Sequence, residues 1–212
     1  MDIVACFYSI YSTFCKTIYP PLYFSELMKL LSKPLLSYST LAPGYEALHR
    51  QEQLSKAAII AGEISLSKNQ LLLDVGCGSG LSSELFNCIR IGIDPSEELV
   101  AIARKKGIAA IIGCAEKMPF KSNCFDAVIC VSAAHNFHDP RKAFAEIARV
   151  AKPQAKIAVS LLRASARFRL LRALVREFSV VKKVIRHRVD EVLILGTAVY
   201  NEKESNMIEN FE

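Results

Sequence analysis

A doubly wound α/β fold is what the chain predicts: a seven-stranded, mostly parallel sheet with helices on both faces and a C-terminal antiparallel hairpin. Three observations carry this. Short apolar runs alternate with segments of helical periodicity between Ser37 and Glu177. The first apolar run ends in three closely spaced glycines. The last two runs follow one another with no helical segment between them. Strands alternating with helices form a parallel sheet covered on both faces. Two strands joined directly pair antiparallel, here at the sheet edge.

Each element has its own signal. Tyr45, Leu48, Leu54, Ala57, Ala58 and Ala61 recur at helical spacing and predict a helix over Gly44 to Glu63. Leu71 to Val75 is a buried strand that stops at Gly76, and Leu81 to Asn87 has room for a short helix. Ile89 to Ile93 is the second strand. Pro95 opens a helix that runs to Lys106, with Gly107 as its C-terminal glycine. Ile108 to Ile112 and Phe125 to Val131 are the third and fourth strands. Asp139-Pro140 is a strong helix start, a capping carboxylate followed by a first-turn proline, and that helix ends near Ala151, before Pro153. Lys156 to Leu162 is the fifth strand and Ser165 to Glu177 the next helix. Phe178 to His187 and Glu191 to Val199 form the hairpin, with its turn near Val189-Asp190.

A chain of 212 residues is one domain with at most a short accessory segment. At 51% hydrophobic and 23% charged residues it is neither disordered nor fibrous. A net charge of +6 permits an anionic partner without requiring one. The seven cysteines are odd in number and include no C-x-x-C pair. This argues against a disulfide framework or a metal site built by this chain alone, and for a reducing, cytoplasmic setting.

The first 27 residues are rich in aromatics and nearly free of charge. Lys16 and Pro20-Pro21 interrupt any run long enough to span a bilayer. Asp2 and the lack of an early basic residue oppose a signal peptide. The segment reads as a flap over a site or as an extension ahead of Met28, and no integral membrane insertion is expected. The expected organisation is therefore an apolar flap or extension over 1–36, a catalytic domain over 37–200 and an acidic tail over 201–212.

The most informative stretch is LLLDVGCGSG, 71–80, in which Gly76, Gly78 and Gly80 separate a strand from a helix. Glycines at this place let the backbone turn sharply and let a ligand approach the amides. Open α/β sheets bind ligands outside the carboxyl ends of their strands. Neither the dinucleotide spacing nor the P-loop spacing fits these glycines. Asp94 closes the second strand, where a carboxylate accepts two hydrogen bonds from a ribose diol. An adenosine with a compact, phosphate-free tail therefore suits the site better than a dinucleotide.

With these residues in place the chain resembles the class I S-adenosylmethionine-dependent methyltransferases of the type 11-like group, which have a Rossmann-like sheet. The resemblance rests on LLLDVGCGSG (71–80), IGIDPSEELVAIARKKG (91–107), CAEKMPFKSNCFDAVIC (114–130) and AHNFHDPRKAFAEIARVAKP (134–153), in the family's order and spacing. It covers about residues 70–160. It implies S-adenosyl-L-methionine as cofactor. Asp74 and Gly76, Gly78 and Gly80 would face its methionine part, Asp94 its ribose, and Pro95 and Ser96 its adenine. Cys114, Ala115 and Glu116 would run along the adenine edge, and Ser132 would lie near the transfer centre. The chain departs from the family twice. Many relatives have Asp at the place of Cys114, which implies weaker cofactor affinity or a substitute such as Glu116, since a thiol is a poor hydrogen-bond partner. Many have Gly-Gly in a turn at the place of Gln154-Ala155, remote from the cofactor.

Methyl transfer from a sulfonium is an in-line displacement that needs alignment more than acid–base help. His135 and Asn136, past the fourth strand, are the catalytic candidates, with Phe137 and His138 beside them. The same histidine serves equally as an ordinary loop residue. SAAHNF stands where adenine and some guanine N-methyltransferases carry [ND]-P-P-[YF], which disfavours that subclass. Tyr45 and Gln53 are placed to close over the methionine end or to pack and solvate the first helix.

The acceptor is less legible. Arg163 to Arg188 holds nine cations against Glu177 alone, with Arg169, Arg172 and Arg176 on one helical face. Such a stripe either tracks phosphates or is a solvated face. GCGSGLS with FDAVICVSA is similar to ribosomal-RNA guanine-N7 methyltransferases, a group stabilised by a small zinc-ribbon activator protein. AEKMPFKSNCFDAV with HDPRKAFAEIARVAKP is similar to small-molecule methyltransferases, including those of quinone biosynthesis. Three readings follow: a small-molecule methyltransferase, which is favoured; an RNA methyltransferase with a zinc-ribbon activator; and a non-catalytic cofactor-binding scaffold.

Overall fold

In the computed structural model the backbone is described over residues 42–197 and the side chains over residues 50–196. The 1–36 segment, the Tyr45 side chain and the 201–212 tail lie outside the described residues. The elements are α1 (Ala42–Glu63), β1 (Leu71–Val75), β2 (Ile89–Asp94), α2 (Glu97–Lys105), β3 (Ala109–Ile112), β4 (Phe125–Val131), α3 (Pro140–Val150), β5 (Ala151–Leu162), α4 (Phe168–Phe178), β6 (Ser179–His187) and β7 (Asp190–Thr197).

The seven strands form one sheet in the order β3-β2-β1-β4-β5-β7-β6. The first five run parallel, and β7 enters antiparallel beside β5, with Leu162 opposite Asp190 and Ile157 opposite Leu195. The expected hairpin is present, with β6 as the outer edge. All five residues of β1 are buried, as a strand covered on both faces requires.

Side-chain alternation divides the core in two. Leu71, Leu73 and Val75 pack with Phe144 and Ile147 of α3 and Leu171 and Leu174 of α4. On the other face Leu72 packs with Ile60 of α1, with Ile64 just after it, and with Val192 and Ile194 of β7. A smaller cluster joins Val100 and Ala103 of α2 to Ile108 and Ala110. Each fully buried aliphatic side chain contributes about 1.5–3 kcal/mol, and this sets the register of every strand.

The helix termini follow local chemistry. The Ser96 hydroxyl accepts the Leu99 N–H at 3.3 Å, acids occupy the first turn of α2 and bases the last. Asp139 accepts the Lys142 N–H at 3.2 Å, and Pro140 fills the first position of α3.

Three expectations need correction. Leu81 to Asn87 is not a helix: only Leu81–Ser83 form a single 3-10 turn, because the buried Ser82 and Ser83 hydroxyls bond to Asp74 and to the Gly80 carbonyl instead of facing solvent. The turn expected at Gln154-Ala155 is part of β5, which begins at Ala151. Pro153 is tolerated there because the β4 ladder shifts register at this point, between Phe125 and Ala127. The helix expected from Ser165 starts at Phe168.

Candidate active site

The sheet order sets the carboxyl ends of β3, β2, β1 and β4 in a row, and a cavity of about 440 Å³ opens across them. The glycine loop after β1 forms its floor. Gly76 and Cys77 both donate to the Ile93 carbonyl, at 2.8 and 3.1 Å, which folds the loop back over the end of β2. Gly76 has φ 70°, and a Cβ there would lie 2.3 Å from the Ala133 Cβ on the loop after β4. Only glycine combines that conformation with that approach.

Asp94 closes β2 and is 8% exposed. Its Oδ2 accepts the Gly78 N–H at 2.8 Å and its Oδ1 accepts the Ser96 N–H at 2.9 Å. A carboxylate has about four acceptor sites, so two remain for hydroxyl donors at the cavity wall.

Of the residues singled out in the sequence, Gly76, Gly78, Asp94 and Pro95 line the floor. Cys114, Ala115 and Glu116 line the β3 side, and Ser132 and Asn136 the β4 side. Asp74, Gly80, Ser96 and His135 are not on the lining. Asp74 is fully buried beneath the loop. Gly80 turns the chain into the 3-10 element at φ 83°. Ser96 caps α2. His135 lies in the 3-10 turn Ala134–Asn136. Burial holds the His135 imidazole below its usual pKa, with the Asp190 carboxylate opposing. Glu116 is already engaged, accepting the His138 N–H at 2.8 Å and the Asp139 N–H at 3.2 Å. Ser82, missed in the sequence, lines the cavity and donates its hydroxyl to Asp74 Oδ2 at 2.6 Å. Gln53 reaches the cavity from α1.

The electrostatics fit a cationic, phosphate-free nucleoside. Among the described residues the lining carries two carboxylates, Asp94 and Glu116, and neither lysine nor arginine. Behind it, Asp74 Oδ1 is buried without a hydrogen-bond partner, and burial pushes that carboxyl up to about 7. The folded state thus holds a proton that the unfolded chain releases near pH 4. This group's contribution to stability is full below that pH and is lost as pH rises through about 7. The thermal midpoint of the ligand-free protein is expected to fall by several degrees between pH 5 and 7.5, and Asp74→Asn to flatten that slope. An unchanged slope in Asp74→Asn would assign the titration to another group.

Residues 73–159 match the family model described as a methyltransferase domain. The methyltransferase YcgJ of Bacillus subtilis is 39% identical over 93 residues, covering 38% of this chain and 36% of that protein. The malonyl-[acyl-carrier protein] O-methyltransferase of Herminiimonas arsenicoxydans is 32% identical over 132 residues, 60% of this chain and 50% of that protein. The chain thus spans half or less of the length of these relatives. A chain in the complex of the Haloferax volcanii Trm112 methyltransferase activator with a methyltransferase has the same fold: TM-score 0.64 at 18% identity, over 75% of this chain and 96% of that one. Residues 73–159 thus match a methyltransferase domain, which implies S-adenosyl-L-methionine as cofactor, and the acidic lining of the cavity fits it. Among the described residues no helix is long and apolar enough to cross a membrane.

Proposed function

We propose that the chain transfers a methyl group from S-adenosyl-L-methionine to a small-molecule acceptor. The observation that carries this is the acidic cavity lined by Asp94 and the glycine loop at the carboxyl ends of β1 and β2, with neither lysine nor arginine among its described lining residues to meet phosphate. When bound, the cofactor supplies an activated methyl group and its own leaving group. Asp94 holds the ribose hydroxyls, Cys114 and Ala115 border the adenine, and Ser82 links the methionine end to the Asp74 carboxylate beneath it. Ser132 and Asn136 form the wall past which the acceptor approaches. His135 is off the lining and His138 on it; alignment and exclusion of water carry the step, which needs no general base unless the acceptor must lose a proton.

An RNA acceptor, with a small zinc-ribbon activator subunit, is the second reading. It is favoured by the exposed Arg169, Arg176, Lys182, Arg186 and Arg188 on α4, β6 and the hairpin turn. Arg172 is not part of that surface, because it pairs with the buried Glu191 at 2.6 Å. Charge reversal is therefore confined to Arg169 and Arg176.

Incubation with methyl-labelled cofactor and whole-cell extract separates the readings. Label in the organic or small-molecule fraction supports the first reading. Label in RNA that is lost in Arg169→Glu/Arg176→Glu supports the second. Cofactor binding with label in no fraction, with or without added activator, leaves a non-catalytic scaffold. The binding mode has its own check. Cys114 is the exposed thiol among the described residues and lines the cavity. Its alkylation by iodoacetamide, followed by peptide mapping, is expected to slow about tenfold or more under saturating S-adenosylhomocysteine. Undiminished alkylation would place the adenine elsewhere.

A further inference from the structure

The side of the cavity away from Cys114 hides a charged cluster with no part in the cofactor contacts above. On α1, Lys56 precedes Ile60, and Ile64 just past the helix end, at four-residue spacing, in the stripe that packs on the sheet. On β7, Asp190 alternates with Val192 and Ile194 on the same inward face. A lysine and an aspartate thus stand where periodicity calls for apolar residues, and they meet. Lys56 is 2% exposed and Asp190 0%. The Lys56 ammonium pairs with Asp190 Oδ2, with Glu52 Oε1 at 2.7 Å and with Ser132 Oγ at 2.8 Å. Ser132 lines the cavity. It holds a left-handed backbone, φ 56°, which is uncommon for a residue other than glycine. The next residue, Ala133, is the one against which Gly76 packs.

We propose that Lys56 is a positioning residue of the transfer centre. Held on one side by Asp190 and Glu52, it donates to the Ser132 hydroxyl and fixes the turn after β4 against the glycine loop. That turn is the wall beside the tail of the cofactor, at the β1–β4 crevice, whereas adenine and ribose are served from β2 and β3. Burying an ion pair is a poor way to stabilise a core, since apolar residues of similar volume do as well or better. A buried cation whose third contact is a cavity-lining hydroxyl is explained by what it positions. The inference rests on reading the cavity as the S-adenosylmethionine site.

Titration calorimetry with S-adenosylhomocysteine, which carries the amino-acid tail, and with adenosine, which lacks it, tests the assignment. Lys56→Met is expected to weaken S-adenosylhomocysteine about tenfold and to leave adenosine within twofold, the size of one charge-assisted hydrogen bond lost at the tail. Ser132→Ala should show the same split, and the double variant no further loss. Because Lys56→Met strands the Asp190 carboxylate and threatens folding, Lys56→Met/Asp190→Asn is measured beside it. Its thermal midpoint should recover towards wild type while the tail-specific loss persists. Equal weakening of both ligands, or affinity that returns together with stability, would make Lys56 structural and overturn the proposal. If the wild-type protein binds neither ligand, the methyltransferase reading itself falls and the proposal with it.

Discussion

Asp94→Ala is expected to weaken S-adenosylhomocysteine binding at least about a hundredfold. Two charge-assisted hydrogen bonds to a ribose diol are each worth about 1.5–3 kcal/mol, and about 2.7 kcal/mol is a hundredfold. The carboxylate also receives the Gly78 and Ser96 amides, so its removal frees the middle of the glycine loop and the entry to α2 at once. Asp94→Asn separates the two effects. Its amide nitrogen must face one of those two N–H groups, so it loses affinity through the loop even while it still offers an oxygen to the ligand. The order expected by calorimetry is wild type, then Asn, then Ala, with circular dichroism unchanged. Asp94→Ala binding within tenfold of wild type would remove the ribose from this carboxylate.

Gly76→Ala is the substitution with the largest expected cost to the fold. A left-handed alanine is disfavoured by about 1–2 kcal/mol. The added methyl, 2.3 Å from the Ala133 Cβ, also forces two loops apart, and overpacking of this kind costs about 1–3 kcal/mol more. Urea denaturation should show a loss of about 2–5 kcal/mol. Gly76→Ala/Ala133→Gly relieves the clash, since the next atom in line is the Ala133 Cα at 3.8 Å, but it keeps the backbone strain. The double variant is therefore expected to recover about half of the loss. No recovery would mean that conformation, not approach, selects glycine here.

Much of the architecture could be read from residue pattern. Each of the seven strands overlaps the apolar run that predicts it, and the limits are sharpest for the central strands β1, β2 and β4, where burial leaves few polar residues to blur them. Boundaries went astray where local chemistry departs from pattern. Ser82 and Ser83 look like helix-surface residues, yet their hydroxyls are turned inward to Asp74 and Gly80. Pro153 looks like a stop, yet it sits at a ladder irregularity that needs no N–H from it. At the site, the glycine loop and Asp94 stood out because a backbone turn or a carboxylate at a strand end has few other reasons to exist, whereas Cys114 to Glu116 were pointed to by the resemblance alone; the structure puts them on the cavity lining. Lys56 and Asp190 were not, although each breaks an apolar period. A single misfit on a helix reads as solvent-facing until its counterpart, far along the chain, is known.

The pairing of residue 56 with residue 190 has a bearing on how the chain folds. The strand that meets the Lys56 ammonium is the last of the described strands in chain order, and it must pair antiparallel between β5 and β6 before α1 gains the Val192 and Ile194 part of its apolar floor. Contacts of such long sequence separation form late and slow the search for the native state. During synthesis the parallel half of the sheet emerges first and gives α1 only part of its apolar floor, with Lys56 still without Asp190. Closure of the molecule thus waits on its C-terminal hairpin, and the acceptor side of the cavity is the final part to take shape.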